Sequence, residues 1–231
     1  MLLEGKTVIV SGVGAGLGRE VAQAAYAQGA NVVLGARTEA NLAKAAGEFD
    51  AARVAYAATD ITSEEACQGL VDVAVERFGT VDGLVNVAAL DKAAIPHLAR
   101  ESGTSGIVHI LSQSMWLPAT EVQQSAYAAS KGALLSATFG MAKELGSRRI
   151  RVNAVVPSWM WGPMVQGYAA WTAATQKVPE EQALAPIVAR MALPEMATDG
   201  DVANAAVFMV SPYAGGITGQ SLAVNAGDYM R

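Results

Sequence analysis

The sequence predicts a single α/β domain in which helices cover both faces of a doubly wound parallel sheet. Short apolar runs alternate with helical patterns along the chain, as they do in repeated βαβ units. Two of these runs, residues 31–36 and 150–156, are rich in Val, Leu, Ile and Ala, which is typical of strands buried on both faces. With 231 residues, of which 52% are apolar and 16% charged, the chain can fill one core.

Seven strands are predicted, near residues 7–11, 31–36, 53–58, 81–88, 106–111, 151–156 and 221–225. Helices or helical candidates separate them. No linker, repeat or low-complexity tract interrupts the pattern, so residues 1–231 are expected to form one domain. The ends of one helix can be predicted from the sequence, because Thr62 or Ser63 is a suitable N-cap and Gly79 is a suitable C-terminal residue.

The segment from Ser125 to Gly146 predicts a helix without a polar face around its middle. Such a helix packs on the sheet with one side and needs a second cover for the other. A partner subunit is the natural candidate, so we expect a homodimer or a homotetramer.

Composition excludes several classes of function. A net charge of −5 with no cluster of Lys or Arg argues against a nucleic-acid partner and favours a small-molecule ligand. Cys67 is the only cysteine, which suits a reducing compartment, and the cytoplasm is the expected location. Residues 1–6 resemble neither a signal peptide nor a membrane span. No His or carboxylate pair has metal-ligand spacing, so no metal is predicted.

A glycine turn, residues 11–18, joins the first apolar run to a helical pattern. This strand-turn-helix context is the one that a dinucleotide diphosphate requires, since backbone N–H groups at the helix start can hold the phosphates. Gly12, Gly16 and Gly18 would serve turn geometry, phosphate approach and helix–sheet contact respectively. Close packing without any ligand would also explain such a turn.

Further landmarks follow in a fixed order. They are Asp60 after the third strand, residues 86–89 after the fourth, Tyr127 with Lys131, residues 153–157, and the C-terminal residues 217–227. Together with the glycine turn they resemble the short-chain dehydrogenase/reductase family, and the resemblance runs from Gly5 to Tyr229. It implies a Rossmann-like fold and an oxidoreductase that uses a nicotinamide cofactor to interconvert a ketone or aldehyde and an alcohol.

Tyr127 and Lys131 are the implied catalytic pair. A spacing of four places both on one face of a helix. A tyrosine hydroxyl is almost wholly protonated at neutral pH, and a neighbouring ammonium favours its phenolate form. Tyr127 would exchange a proton with the substrate oxygen during hydride transfer, and Lys131 would also reach the nicotinamide ribose. The alternative is a structural tyrosine beside a surface lysine.

The family's substrate-polarising serine has two candidates here. Alignment of the strand at 107–110 places it at Ser112, whereas the family's usual spacing before Tyr127 places it at Ser114. We favour Ser112, because strand register fixes a side chain more firmly than loop length does.

Cofactor choice depends on the residues that follow the second strand. Ala36 stands where NAD-binding relatives carry an acid, and Arg37 and Thr38 follow it. A guanidinium with an adjacent hydroxyl can bind a 2′-phosphate, so NADP(H) is expected over NAD(H), although Arg37 can equally be a solvated loop residue. The implied cofactor-binding residues are Ser11, Gly12, Gly16, Leu17, Gly18, Arg37, Thr38, Asp60, Ile61, Asn86, Tyr127, Lys131, Pro157 and Met160.

Residues 158–195 are expected to form a substrate lid. Gly162 takes the place of the Thr that the family commonly has near the carboxamide, and backbone groups near Met160 can replace it. Aromatic residues concentrate on this side and suggest an apolar pocket, although packing of a lid helix explains them nearly as well. They are Trp116, Trp159, Trp161, Tyr168 and Trp171.

The chain departs from the family between Asn86 and Ser112. One short helical candidate, from Asp91 to Glu101, stands where the family has two helices. The family's fourth catalytic residue, an Asn that supports a proton path to the lysine, has no counterpart. Three accounts stay open: a working enzyme on a trimmed scaffold, a catalytically impaired dinucleotide-binding sensor, or a sequence that lacks a segment. Intact mass against 23.8 kDa tests the third account.

Overall fold

The computed structural model describes residues 1–88, 90–118 and 121–230. Seven strands form one parallel sheet in the order β3-β2-β1-β4-β5-β6-β7, which confirms the predicted fold class. The strands are β1 (Thr7–Ser11), β2 (Asn31–Ala36), β3 (Val54–Ala58), β4 (Gly83–Asn86), β5 (Ser105–Ile110), β6 (Ile150–Pro157) and β7 (Ser221–Val224).

Helices pack on both faces of this sheet. They are α1 (Leu17–Ala27), α2 (Glu39–Ala46), α3 (Glu64–Phe78), α4 (Asp91–Leu98), α5 (Ser125–Leu145), α6 (Pro163–Gln176), α7 (Glu180–Val188) and α8 (Asp199–Val210). Side chains alternate along β1: Val8 and Val10 join the core under α1, α2 and α8, whereas Ile9 joins the core under α3, α4 and α5. Within the described ranges, no helix is long and apolar enough to cross a membrane.

The ends of α3 follow the sequence signals. Ser63 is the N-cap, since its hydroxyl accepts a hydrogen bond of 3.2 Å from the backbone N–H of Ala66. Thr62, the other candidate, donates instead to the side chain of Asp60. Gly79 ends the helix in the left-handed region with φ of 77°.

A short crossover connects β4 to β5. Its helix ends at Leu98, not at Glu101 as predicted, because Ala99 is extended (φ −60°, ψ 141°). Arg100 then anchors the segment with an ion pair of 3.3 Å to Asp82 and a hydrogen bond to the Val81 carbonyl. These bonds close the connection without the second helix.

Strand order reverses between β1 and β4, because β2 lies on one side of β1 and β4 on the other. In open α/β sheets a ligand binds in the crevice beyond the carboxyl ends of the strands at this switch point. The glycine turn follows β1, and residues 87–88 follow β4, so both border this crevice.

Candidate active site

The glycine turn is folded so tightly that side chains do not fit at two positions. Gly12 has φ of +93°, and a Cβ there would lie 3.1 Å from the backbone nitrogen of Ala88. At Gly18 a Cβ would lie 2.3 Å from the carbonyl oxygen of Gly12. The N-cap of α1 is Gly16, and no side chain caps this helix. Its first N–H groups therefore suit an anion, and the cradle fits a dinucleotide diphosphate.

Residues after β4 hold the turn in place. Val87 and Ala88 donate backbone hydrogen bonds of 3.0 and 3.1 Å to the Ser11 carbonyl, and Ser11 itself is buried. Asn86 is also buried, and its side chain accepts from the Leu90 N–H (3.0 Å) and donates to Asp91 (2.7 Å). The Asn86 amide thus orders this segment. Ala89, the last residue of the 86–89 motif, lies outside the described residues.

Sequence reasoning did not find the histidine that joins this network. His109 on β5 is fully buried, with one ring nitrogen 3.0 Å from Asp91 Oδ1 and the other 2.8 Å from Thr138 Oγ1. It links β5 to α4 and α5, and with Asn86 it fixes the start of α4. A lone histidine in an apolar strand gave no signal of these partners.

Four of the implied cofactor-binding residues follow the ends of β2 and β3. Arg37 and Thr38 are exposed, and Thr38 is the N-cap of α2. Asp60 Oδ1 accepts from the backbone N–H (3.0 Å) and the hydroxyl (2.8 Å) of Thr62. These two bonds hold the pKa of Asp60 below its usual range, with a smaller contribution from the Arg37 guanidinium. Asp60 is thus a turn former, next to exposed Ile61.

Tyr127 and Lys131 lie together on the first turns of α5. The Lys131 Nζ is 5.7 Å from the centre of the Tyr127 ring and donates a hydrogen bond of 2.9 Å to the Ile110 carbonyl at the end of β5. Burial lowers the pKa of the Lys131 ammonium. The Tyr127 side chain is 46% exposed and open to a ligand. The structure therefore places this pair at the carboxyl edge of the sheet.

Both candidate serines lie in the turn after β5, and they contact each other. The Ser114 hydroxyl donates to Ser112 Oγ at 3.0 Å, and the Ser114 N–H reaches the same oxygen at 3.3 Å. Ser114 is 8% exposed, whereas Ser112 is half-buried. This arrangement makes Ser112 the more accessible hydroxyl, with Ser114 supporting it from within the turn.

The predicted lid region is formed largely by α6 and α7. Trp159 and Tyr168, whose ring centres are 5.1 Å apart, pack with Val165, Leu184 and Ile187 in a small core of its own. These two aromatic residues therefore serve packing of the lid. Trp161 and Trp171 are 42% and 64% exposed. Trp116 packs beside Leu134 and Leu135, with its ring centre 6.3 Å from that of Tyr229.

An open cavity of about 720 Å³ lies between Trp161 and α7. Its lining is mostly apolar, with two acids from the start of α7: Trp161, Glu180, Glu181, Leu184, Ala185, Val188 and Ala189. Ser112, Tyr127 and Lys131 do not line it, so this cavity alone is not the reaction site. Pro157 is the last residue of β6, and Met160 packs against the core under α8.

A buried carboxylate near the C-terminus connects the loops around the site. Asp228 accepts hydrogen bonds from Gln113 (2.8 Å), Ser158 (2.5 Å) and Arg190 (3.2 Å), and its side chain is 1% exposed. It thereby joins the turn after β5, the loop after β6 and the end of the lid. Sequence reasoning missed Asp228, since its partners are far away along the chain. Among the described residues, no group of three His, Cys, Asp or Glu could hold a metal.

Known proteins match this chain over nearly its whole length. The family profile described as short chain dehydrogenase matches residues 6–101, and the profile described as Enoyl-(Acyl carrier protein) reductase matches residues 90–228. L-fucose dehydrogenase of Bos taurus is 30% identical, over 96% of this chain and 89% of the relative. The 7alpha-hydroxysteroid dehydrogenase of Escherichia coli K12 is 28% identical, over 97% and 94%.

Solved structures agree with these sequence matches. A short-chain dehydrogenase/reductase of Brucella melitensis superposes with a TM-score of 0.86 at 27% identity, covering 100% of this chain and 99% of that one. Actinorhodin polyketide ketoreductase with NADPH gives 0.82 at 26%, covering 97% and 98%. The chain therefore belongs to the short-chain dehydrogenase/reductase family. It is thus one of the NAD(P)-dependent oxidoreductases that interconvert carbonyls and alcohols.

Proposed function

We propose that this protein reduces a ketone or aldehyde with NADPH, or oxidises the corresponding alcohol with NADP, on a largely apolar small molecule. The observation that carries the proposal is the position of Tyr127 beside Lys131, whose ammonium is bonded to the Ile110 carbonyl at 2.9 Å. That carbonyl lies at the same edge of the sheet as the glycine turn. A proton-transfer group thus lies at the end of the crevice that fits a dinucleotide.

Each residue of the site has a distinct part in this proposal. When bound, the nicotinamide cofactor supplies or accepts the hydride. The Ser112 hydroxyl donates a hydrogen bond to the substrate oxygen and polarises it, while Tyr127 gives or takes the proton at that oxygen. The Lys131 ammonium favours the phenolate form of Tyr127. Gly12 and Gly18 keep the turn tight, because a Cβ at either position would meet the backbone of the protein itself, and Gly16 leaves the start of α1 without a side-chain cap, where the diphosphate would bind.

The apolar character of the substrate is supported by the exposed indoles of the lid. Trp161 lines the cavity beside α7 together with Leu184 and Val188. Such a surface favours a substrate with a hydrophobic body. The relatives named above act on different substrates, so their names do not select one.

NADP(H) preference is proposed from Arg37 and Thr38, which lie exposed directly after β2, and from Ala36, which stands in place of the acid that NAD-binding relatives carry there. Similar solved structures contain either nicotinamide cofactor. The polyketide ketoreductase has NADPH bound, and a 3-ketoacyl-(acyl-carrier-protein) reductase of Brucella melitensis has NADH bound. The choice therefore depends on this chain's own residues.

Replacing Arg37 by Ala is expected to erase most of this preference. One charge-assisted contact contributes about 1.5–3 kcal/mol, which is roughly ten- to a hundredfold in affinity. Dissociation constants for NADPH and NADH, measured by nicotinamide fluorescence, give the ratio directly. Lys44→Ala, which removes an exposed cation from the following helix, is the matched control and should leave the ratio unchanged. Equal affinity of the unmodified protein for both cofactors would contradict this assignment.

A second function is favoured by one specific observation. No Asn occurs between Asn86 and Asn153, so the family's proton path to the lysine lacks its usual member. On this alternative the protein is a sensor that binds the dinucleotide and turns over poorly. Tight NADPH binding without turnover on a broad panel of carbonyls and alcohols would identify the sensor, whereas KM values in the micromolar to millimolar range would exclude it.

Self-association through α5 is also part of the proposal. Only Thr138, Ala142 and Leu145 of this helix are buried, and its outer face presents Phe139 at 44% exposure together with several alanines. An apolar face left in water costs about 25 cal/mol per Å². A homodimer or homotetramer would cover it.

An Ala133→Asp variant is expected to dissociate this assembly, because it puts an unpaired carboxylate into the covered face. Light scattering after gel filtration should give a mass near 23.8 kDa for the variant and a multiple of it for the unmodified protein. Ala40→Asp, at an exposed position in the first turn of α2, is the control and should keep the oligomeric mass. A strictly monomeric unmodified protein would rule out the interface.

A further inference from the structure

Asp199, the first residue of α8, has a carboxylate that lies between two loops of the crevice. A Cβ added to Gly16, in the glycine turn, would lie 3.3 Å from its Oδ2. A Cβ added to Gly162, in the loop after β6, would lie 2.4 and 2.5 Å from its two oxygens. The carboxylate therefore occupies the gap between these loops.

This gap lies on the path of a bound dinucleotide, a statement that rests on the function proposed above. The diphosphate belongs at Gly16 and the start of α1. The nicotinamide belongs near Tyr127 and Lys131, on the side of the sheet from which the loop after β6 emerges. A molecule that spans both places passes beside Asp199.

Among the described residues, no cation forms an ion pair with this carboxylate. The glycine turn (residues 11–18) and the loop after β6 (residues 158–162) contain no charged side chain. On α1, Arg19 is paired with Glu48 at 2.7 Å, and Glu20 faces Asp199 with a like charge. On α8 itself, Asp201 is bound to Thr198 in a capping box.

The surroundings also disfavour the ionised form. Burial raises the pKa of Asp199 above the ordinary aspartate range, and Glu20 adds to this shift. Among the described residues, nothing donates a hydrogen bond to the Asp199 side chain. Binding of a diphosphate brings further negative charge to the same place, which favours the protonated acid still more.

We propose that Asp199 is a residue that sets dinucleotide affinity: its carboxylate opposes the diphosphate, so that cofactor binding is coupled to proton uptake at Asp199 and exchange of bound cofactor is fast. The sign follows from the charges. Ionised Asp199 repels the diphosphate and protonated Asp199 does not, so affinity increases as the pH falls through its titration. NAD(H) and NADP(H) share the diphosphate and should be affected equally.

The test compares the unmodified protein with Asp199→Asn, which has nearly the same shape and no charge. Dissociation constants for NADH and NADPH are measured by nicotinamide fluorescence between about pH 5 and 8, and release rates by stopped flow. At neutral pH and above, the variant should bind both cofactors roughly five- to tenfold more tightly and release them more slowly. This is the size of one unit-charge repulsion across a partly hydrated cleft.

The difference between the two proteins isolates Asp199, because titration of the 2′-phosphate is common to both. It should shrink as the pH falls. Glu76→Gln, which removes an exposed acid from α3, makes the same change in net charge and should leave affinity within about twofold of the unmodified protein. Thermal unfolding of the variants checks that each is folded.

The outcomes separate this inference from the function on which it rests. If the unmodified protein binds dinucleotide and Asp199→Asn binds equally or more weakly at every pH, the role of Asp199 is wrong while the function stands. If neither protein binds, both are wrong. Binding by the variant alone would support the role of Asp199 in its strongest form.

Discussion

Replacement of Tyr127 by Phe is expected to lower turnover by about 10²–10⁴-fold, the usual contribution of a positioned proton donor or acceptor. The hydroxyl is the group that exchanges a proton with the substrate oxygen, and the ring alone cannot replace it. Cofactor affinity should stay nearly intact, because the diphosphate is held at the glycine turn on the far side of the crevice. Steady-state kinetics and a cofactor titration measure the two effects separately.

Tyr213→Phe is the matched control for this substitution. Tyr213 is 70% exposed in the turn after α8, and loss of its hydroxyl should change neither kcat nor cofactor affinity. Undiminished turnover in Tyr127→Phe would show that the Tyr127 hydroxyl does not exchange the proton with the substrate oxygen.

Gly18→Ala is expected to abolish dinucleotide binding in a chain that still folds. The new Cβ would lie 2.3 Å from the Gly12 carbonyl oxygen and 3.0 Å from the Val13 Cα, so the backbone of the turn must move. A forced shift of this kind costs about 1–3 kcal/mol of stability and displaces the N–H groups that hold the phosphates. Cofactor titration and thermal unfolding give the two losses.

The same turn provides the control. A Cβ on Gly14 meets no atom within 4 Å, so Gly14→Ala should keep both stability and affinity. If Gly18→Ala binds cofactor as tightly as Gly14→Ala does, the turn does not act as the phosphate cradle, and close packing alone explains its glycines.

Sequence reasoning predicted most of the fold because the signals were local. Apolar runs between glycines and helix caps placed all seven strands, and Gly79 stopped α3 as expected. β4 ends at Asn86, two residues before the predicted end, where the N–H groups of Val87 and Ala88 both donate to the Ser11 carbonyl. These hydrogen bonds join segments that are remote in sequence, so no local sequence pattern predicts them.

In the candidate site, too, contacts within one element were predictable from the sequence, whereas contacts between remote segments were not. Tyr127 and Lys131 share a helix, so their spacing alone predicts that they meet. The partners of Asp228 and Asp199 come from distant loops, and only the folded chain brings them together. Trp159 illustrates a different limit, because an aromatic residue near a site can line the pocket or fill the lid core, and its sequence position is the same in both cases.

Transfer of deuterium from NADPH deuterated at both C4 positions is the most direct test of the proposed reaction. The unmodified protein is incubated with a panel of apolar ketones and aldehydes, and each alcohol product is examined by mass spectrometry. We expect at least one product to carry a single deuterium at the carbinol carbon, and Tyr127→Phe to form little or none of it. Tight binding of NADPH with no deuterated alcohol from any member of the panel would contradict the enzymatic function. The alternative, a sensor that binds the dinucleotide, would then be the supported function.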